Sequence, residues 1–264
     1  MSDAALLEVQ GGVATLTVNE PDQMNALTPP VLKAMNEHLD TVEERDDVRC
    51  VVLEGTGRAF SAGGDIEGMK DRLDAGTPVH EAVEALKQGA NETVARLITC
   101  TYPTVAKIDG PAVGAGANFA IGCDIVLANE SARIGFGFNQ VGLSVDTATS
   151  YLLPRLVGIN KAKELVFTGE VLDAHEAEEL GLFNHVYPNE TFEDEVTAMV
   201  EKVASGPTVA LSQSKQLLHD GFNEPLQRAL RNEAAAHGVA LDSDDHHEGI
   251  EAFLENREPE FEGK

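Results

Sequence analysis

Basic residues are scarce in this sequence. Nineteen Lys and Arg stand against 45 Asp and Glu, a formal net charge of −26 over 264 residues. Such a surface repels nucleic acid and anionic membranes alike. Cysteine is scarcer: Cys50, Cys100 and Cys123 form an odd set in apolar surroundings, without paired-ligand spacing. They read as buried thiols of a reducing cytoplasm. No apolar run reaches the roughly 20 residues of a membrane span. The opening MSDAALLEVQ lacks the basic and then apolar order of a secretory signal. The eight histidines are scattered, with no pair at i,i+4, and the adjacent His246 and His247 cannot share one helix face.

What is present is ordinary for a globular protein: 42% hydrophobic and 24% charged residues, enough for one large core. Helix and strand patterns alternate, which points to an α/β chain. Leu6–Val9, the pair Gly11-Gly12 and Val13–Val18 predict a hairpin. Thr28 before Pro29 predicts a helix start, with Leu32, Met35, Leu39 and Val42 as its buried stripe. Cys50–Leu53 reads as a buried strand, Gly55–Gly64 as a glycine-rich loop, and a helix starts near Asp65. The same order recurs in Thr104–Ile108, the loop Gly110–Gly116 and the helix Ala117–Gly122, followed by a strand over Asp124–Ala128. A strand, glycine loop and helix repeated in this way predict a coil of ββα units rather than one dinucleotide-binding unit. Beyond Pro188 the pattern is helical through Phe253, so residues 1–200 read as the core and 201–264 as a helical appendage.

Two stretches hold candidate chemistry: RAFSAGGDIEGM (58–69) and DGPAVGAGANFAIGCD (109–124). Each places small residues where a strand gives way to a helix. Glycine lets the backbone approach a ligand, and a helix start offers unpaired N–H groups. Two such starts can aim one N–H each at a single oxygen, an oxyanion hole suited to an enolate or a tetrahedral intermediate.

With these segments, NEPDQMNAL (19–27), GLSVDTATSYLLPRLVG (142–158), FTGEVLDAHEAEELGLFNHVYP (167–188) and HHEGIEAFLENREPEF (246–261), the chain resembles the crotonase (enoyl-CoA hydratase/isomerase) superfamily over nearly its whole length. The resemblance implies acyl-CoA thioester substrates, a spiral α/β core of ββα units, and homotrimers or dimers of trimers built with C-terminal helices. It implies no metal or redox cofactor. By motif position, the oxyanion donors are Gly64 and Ala115, and Ala62, Asp65 and Ile66 lie against coenzyme A. Met69 is a candidate for lining the acyl tunnel or for the core.

The family's hydratases use two glutamates, and at those positions this chain has Asn118 and Phe138. An asparagine can hold water but cannot take its proton. Asp146 is the one acid in its stretch. It resembles the acid/base of the epoxyphenylacetyl-CoA (oxepin-type) isomerases, with Val145 where that subgroup has proline. Read from its neighbours alone, Asp146 before Thr147 suits a helix N-cap. Among apolar residues its pKa is expected to be raised. The favoured expectation is double-bond isomerisation through Asp146, with a hydratase using Asn118 and Asp146, or a non-catalytic acyl-CoA binder, as alternatives. A dehalogenase-type nucleophile at Asp146 is a minor reading. Arg58, Lys107, Lys215 and Arg257 are candidate partners for the cofactor's phosphates.

The acidity has a physical reading of its own. Nine acids and two bases crowd the last 24 residues, yet the acids are dispersed elsewhere rather than blocked. A self-repelling surface of this kind fits adaptation to high salt, where ions screen the charge. On that hypothesis thermal stability rises from dilute buffer to molar KCl; equal melting temperatures in both would refute it.

Overall fold

The computed structural model describes residues 3–264. β1 (Ala5–Gln10) and β2 (Val13–Val18) pair antiparallel, with Gln10 opposite Val13. Gly11 and Gly12 form the turn at φ 58° and 82°, a doubly left-handed geometry that glycine adopts without strain. α1 (Pro29–Glu43) starts where expected, with the Thr28 hydroxyl accepting from the Val31 N–H and the predicted stripe buried. The remaining elements of the first half are β3 (Cys50–Gly55), α2 (Ile66–Asp74), α3 (Val79–Leu86), α4 (Glu92–Thr99), β4 (Thr104–Ile108), β5 (Pro111–Val113) and α5 (Ala115–Ile121). Then come β6 (Ile125–Asn129), β7 (Arg133–Gly135), α6 (Thr149–Thr168), β8 (Val171–Asp173), α7 (Ala174–Glu179), β9 (His185–Tyr187) and α8 (Phe192–Ala204). The chain ends in α9 (Thr208–Gly221), α10 (Leu226–Leu241) and α11 (Asp244–Glu255).

The larger sheet runs β1-β2-β3-β4-β6-β9, parallel from β2 onward. Its central strands are buried on both faces, hence their unbroken apolar runs. Cys50, Val52, Val105 and Leu127 face Phe192, Val196 and Val200 of α8, while Leu53, Ala106 and Ile108 join the main core. A smaller sheet, β5-β7-β8, is extended by the single parallel bridges Ser61–Ala112 and Leu27–Gly64. Each turn of the chain therefore gives one strand to the large sheet and a short piece to the small one. This is the predicted spiral of ββα units. The expectation of a plain loop over Gly110–Gly116 needs correction. Its first half is strand β5, too short for an alternating pattern to show, and Ala115 already belongs to α5, two residues before the expected helix start. α6 is broken at Gly158, whose φ of 76° lies outside the helical range.

The C-terminal helices are fastened to the core by buried and half-buried polar groups. Arg49 donates to the Thr208 hydroxyl (3.1 Å) and to the carbonyls of Gly206 (2.6 Å) and Phe261 (2.8 Å). Asp245 accepts from the Glu262 and Gly263 N–H groups. The nearly buried Lys215 of α9 reaches Asp124 (2.8 Å) and the Tyr102 carbonyl (3.1 Å). Burial alone would raise the Asp124 pKa, but His219, Lys215 and the Thr104 N–H together hold it below the usual value. The three cysteines are free and buried, and burial pushes Cys50 and Cys123 up to about 12.

Asp124→Ala leaves the Lys215 ammonium buried without its counter-charge, which costs about 3 kcal/mol at neutral pH. Because the folded pKa of Asp124 is lowered, its contribution is complete above the ordinary carboxylate range and fades as pH falls through the lowered value. Urea unfolding of both proteins should show a gap that closes in acid; a pH-independent gap would mean that the charge is not what matters.

Candidate active site

The first glycine loop is held from below by Asn25, which is fully buried and left-handed (φ 56°). Its amide donates to the carbonyls of Thr56 and Ala59, both at 2.7 Å, and accepts from the Glu20 N–H at 3.0 Å. Gly55 leaves room for that amide, since an added Cβ would lie 2.7 Å from Nδ2. The Ser61 hydroxyl donates to the Asn25 carbonyl (2.7 Å) and accepts from the Gly63 N–H (3.1 Å). Leu27 N–H binds the Gly63 carbonyl (2.7 Å), and Ala62 N–H the Met24 carbonyl (2.8 Å). The Gly64 N–H donates to no acceptor among the described residues.

The second loop comes against the first. Val113 N–H binds the Ser61 carbonyl (3.0 Å), and Ser61 N–H the Pro111 carbonyl (3.1 Å). Gly63, at φ 85°, touches the other strand so closely that a Cβ would overlap the Val113 carbonyl oxygen and sit 3.1 Å from Ala115 N. Gly116 is bare for the same reason, with Ser61 O 2.6 Å from the position of a Cβ. Ala115 is the first residue of α5, where the N–H has no helical acceptor. Gly63, the neighbour of Gly64, thus lies against Ala115, and neither the Gly64 nor the Ala115 N–H has an acceptor among the described residues, as an oxyanion hole would require. Met69 of α2 places its terminal methyl 3.0 Å from where a Gly64 Cβ would be, so it packs against Gly64.

Asp65 accepts from the Gly68 N–H (2.8 Å) as the N-cap of α2, which occupies one oxygen of its carboxylate. Ile66 beside it is 56% exposed and Ala62 is half-buried. Phe138 is buried in a short turn over Phe138–Val141. Of the four candidate cations, three are occupied: Lys107 by Glu54 and Glu193, Lys215 by Asp124, and Arg257 by Glu248 and Glu255. Arg58, exposed next to the first loop, has no ion pair among the described residues.

Asp146 is half-buried, and burial raises its pKa above the usual carboxylate value. The N-cap reading of its side chain is overturned. α6 starts only at Thr149, and Oδ1 of Asp146 accepts instead from the Thr147 hydroxyl (2.8 Å). The reason lies in the backbone: Thr147 and Ala148 are both left-handed (φ 48° and 64°), and Ala148 rather than Asp146 stands at the cap position of α6. It is the carbonyl of Asp146 that meets the helix start, accepting from Thr149 N–H (2.9 Å), the Thr149 hydroxyl (2.7 Å) and Asn118 Nδ2 (3.3 Å). Asn118 is fully buried, and its Nδ2 also donates to the Thr149 hydroxyl oxygen (2.7 Å). Since that hydroxyl's one proton goes to the Asp146 carbonyl, the amide orientation is fixed. Asn118 Oδ1 is left buried without a partner, the only such side-chain atom among the described residues.

Sequence reasoning missed Asn91, whose Oδ1 accepts from the Thr147 N–H at 3.1 Å. The signal available was Gly89, a glycine inside a helical pattern. A cavity of about 520 Å³ between α9, α10 and the C-terminal residues, lined by Val209, Val239 and Ser243, includes none of the site residues.

Residues 8–264 match a family model described as enoyl-CoA hydratase/isomerase. The chain is 35% identical to the 1,2-epoxyphenylacetyl-CoA isomerase of Escherichia coli (strain K12), over all of both chains. It is 34% identical to the short-chain-enoyl-CoA hydratase of Clostridium acetobutylicum, over 97% of this chain and 96% of that one. Among solved structures, an enoyl-CoA hydratase of Mycobacterium smegmatis superposes with a TM-score of 0.90 at 32% identity, covering 98% of each chain.

Gly63→Ala combines a left-handed φ with a steric overlap against Val113, so the two loops must part. It should cost about 1–3 kcal/mol of stability and lower kcat/KM by about 10²-fold. Gly181→Ala is the control: it has a similar φ (75°) with open space around it, far from the chemistry in sequence. Equal activity loss in both variants would show that the loop contact is not responsible.

Proposed function

The chain belongs to the enoyl-CoA hydratase/isomerase (crotonase) family of enzymes, and from that premise we propose that it shifts a double bond in an acyl-CoA thioester with Asp146 as the single acid and base. The observation that carries this reading is the placement of one carboxylate of raised pKa where Asn118 and Phe138 supply no second acid. On this reading the thioester oxygen accepts from the N–H groups of Gly64 and Ala115. Asp146 takes a proton from the acyl chain: the C–H bond breaks, its electron pair enters the enolate, and charge gathers on the oxygen between the two donors. The protonated Asp146 then forms a new C–H bond at another carbon and is regenerated as carboxylate. A raised pKa suits this task, because the group must first bind the proton and then release it. The proposed chemistry calls on no metal or redox cofactor.

A hydratase reading has its own support. Asn118 Oδ1 is a buried acceptor without a partner, which suits a bound water, and most named relatives are hydratases. It requires Asp146 to act on that water rather than on carbon.

The C-terminal helices support a homotrimer or a dimer of trimers. Leu218, Phe222, Leu226 and Phe253 are all at least 70% exposed, more apolar surface than a lone helical region keeps in water. Among the described residues no helix is long and apolar enough to cross a membrane.

A 3-enoyl-CoA thioester should be converted to its conjugated 2-enoyl isomer by the native chain and not by Asp146→Asn. The wild-type kcat should fall as pH drops through the Asp146 pKa, above the ordinary carboxylate range. A carboxylate of raised folded pKa lowers stability once ionised, so Asp146→Asn should melt no lower than wild type. Retained isomerisation in that variant would sink the assignment, and hydration of crotonyl-CoA as the faster reaction would favour the hydratase.

A further inference from the structure

The peptide group joining Asp146 to Thr147 is held at both ends by side chains from two other parts of the chain. Its C=O accepts from Asn118 of α5 and from Thr149. Its N–H donates to Asn91 Oδ1 at 3.1 Å. Asn91 is the last residue of a wide helical turn, Lys87–Asn91, inserted between α3 and α4. The turn is distorted at Gly89 (φ −104°, ψ −107°), where a Cβ would press on Leu32. The kink is braced: the Thr93 hydroxyl donates to the Gly89 carbonyl (3.1 Å) and accepts from Asn36 Nδ2 (2.8 Å). A regular helix over 79–99 would have kept a helical register through residue 91. The distorted turn shifts that register, and Asn91 ends on the Thr147 N–H.

We propose that Asn91 is the positioning residue of Asp146, a role that rests on Asp146 being the acid and base. The two residues after Asp146 are left-handed without being glycine, a conformation costly for side-chain-bearing residues. It persists only when its surroundings fix it. Asn118 and Thr149 fix the carbonyl end. Among the described residues Asn91 is the one side chain on the N–H end, and its bond holds the peptide plane against rotation. The plane sets the direction in which Cα of Asp146 projects its carboxylate. Asn91 also closes a circuit. The segment 65–91 leaves the first oxyanion loop at Asp65, carries Met69 over Gly64, and ends on the backbone of the base. Asn91 acts on the orientation of a reacting group, and it touches neither the thioester donors nor the carboxylate itself.

Asn91→Ala, assayed with a 3-enoyl-CoA thioester, should lose about 10²-fold in kcat, as expected for a displaced base, with KM unchanged. Asn91→Asp keeps an accepting oxygen in place and should recover most of that kcat. Asn91→Gln, which moves the oxygen by one methylene, should fall between the two, and it carries the test if the alanine variant does not fold. Asp146→Asn is measured alongside. Full turnover in Asp146→Asn overturns both the reading of Asp146 and the role of Asn91. Loss in Asp146→Asn with normal kcat in Asn91→Ala overturns the role of Asn91 alone. A matching rise in KM without recovery in Asn91→Asp also overturns it, since that is the mark of a general structural defect.

Discussion

The peptide group between Asp146 and Thr147 is a rigid plane, and three surrounding elements grip it: the start of α6 through Thr149, α5 through Asn118, and the wide turn before α4 through Asn91. The grip matters because the backbone beyond it is strained. Two successive left-handed residues, Thr147 and Ala148, cost on the order of 1–2 kcal/mol each in a free chain. Hydrogen bonds of about 1 kcal/mol apiece, four of them on one peptide group, offset that cost. The left-handed pair also puts Ala148 at the cap position of α6, and the Asp146 carboxylate is not consumed by capping.

α5 links this grip to the proposed oxyanion hole. Its first residue, Ala115, supplies a free N–H, and three residues later, on the same face of the helix, Asn118 holds the carbonyl of Asp146. On the proposed reading, one rigid turn would set the spacing between the group that stabilises negative charge and the group that moves the proton. The contact between the two loops depends on missing side chains. Gly63 and Gly116 let the two loops lie in contact, and a methyl group at either position would force them apart. Asn25 holds the base of the first loop by two side-chain bonds, to the Thr56 and Ala59 carbonyls, and ties it to the Glu20 N–H by a third.

Much of this was legible in the sequence. The hairpin, the α1 cap, strands β3, β4 and β6 and the first glycine loop announce themselves by period and by residue type, whereas β9, a three-residue strand of the same large sheet, does not. The isolation of Asp146 in a chain otherwise crowded with acids was legible too. The small sheet was not legible, because three-residue strands and single bridges are shorter than any alternating pattern. Asp146 read as an N-cap because Asp before Thr is good capping chemistry; only the left-handed pair that follows it cancels that preference, and neither Thr147 nor Ala148 advertises such a backbone. Asn91 was invisible because its partner lies 56 residues away. Asn118 stood out as a departure from the family's glutamate, but its work on the Asp146 carbonyl follows from folding alone. The candidate phosphate cations were narrowed by the structure in the same way, since three of the four already neutralise carboxylates and Arg58 does not.

The account reduces to a single geometry: a thioester oxygen between two backbone donors, with one carboxylate facing the carbons that exchange a proton. A crystal structure with a bound, unreactive acyl-CoA thioester tests it most directly. The account predicts the thioester oxygen about 3 Å from both the Gly64 and Ala115 nitrogens, with an Asp146 oxygen against the acyl carbons and the Asn91–Thr147 bond intact. A thioester oxygen bound elsewhere, or an Asp146 carboxylate turned back onto the start of α6, would contradict it.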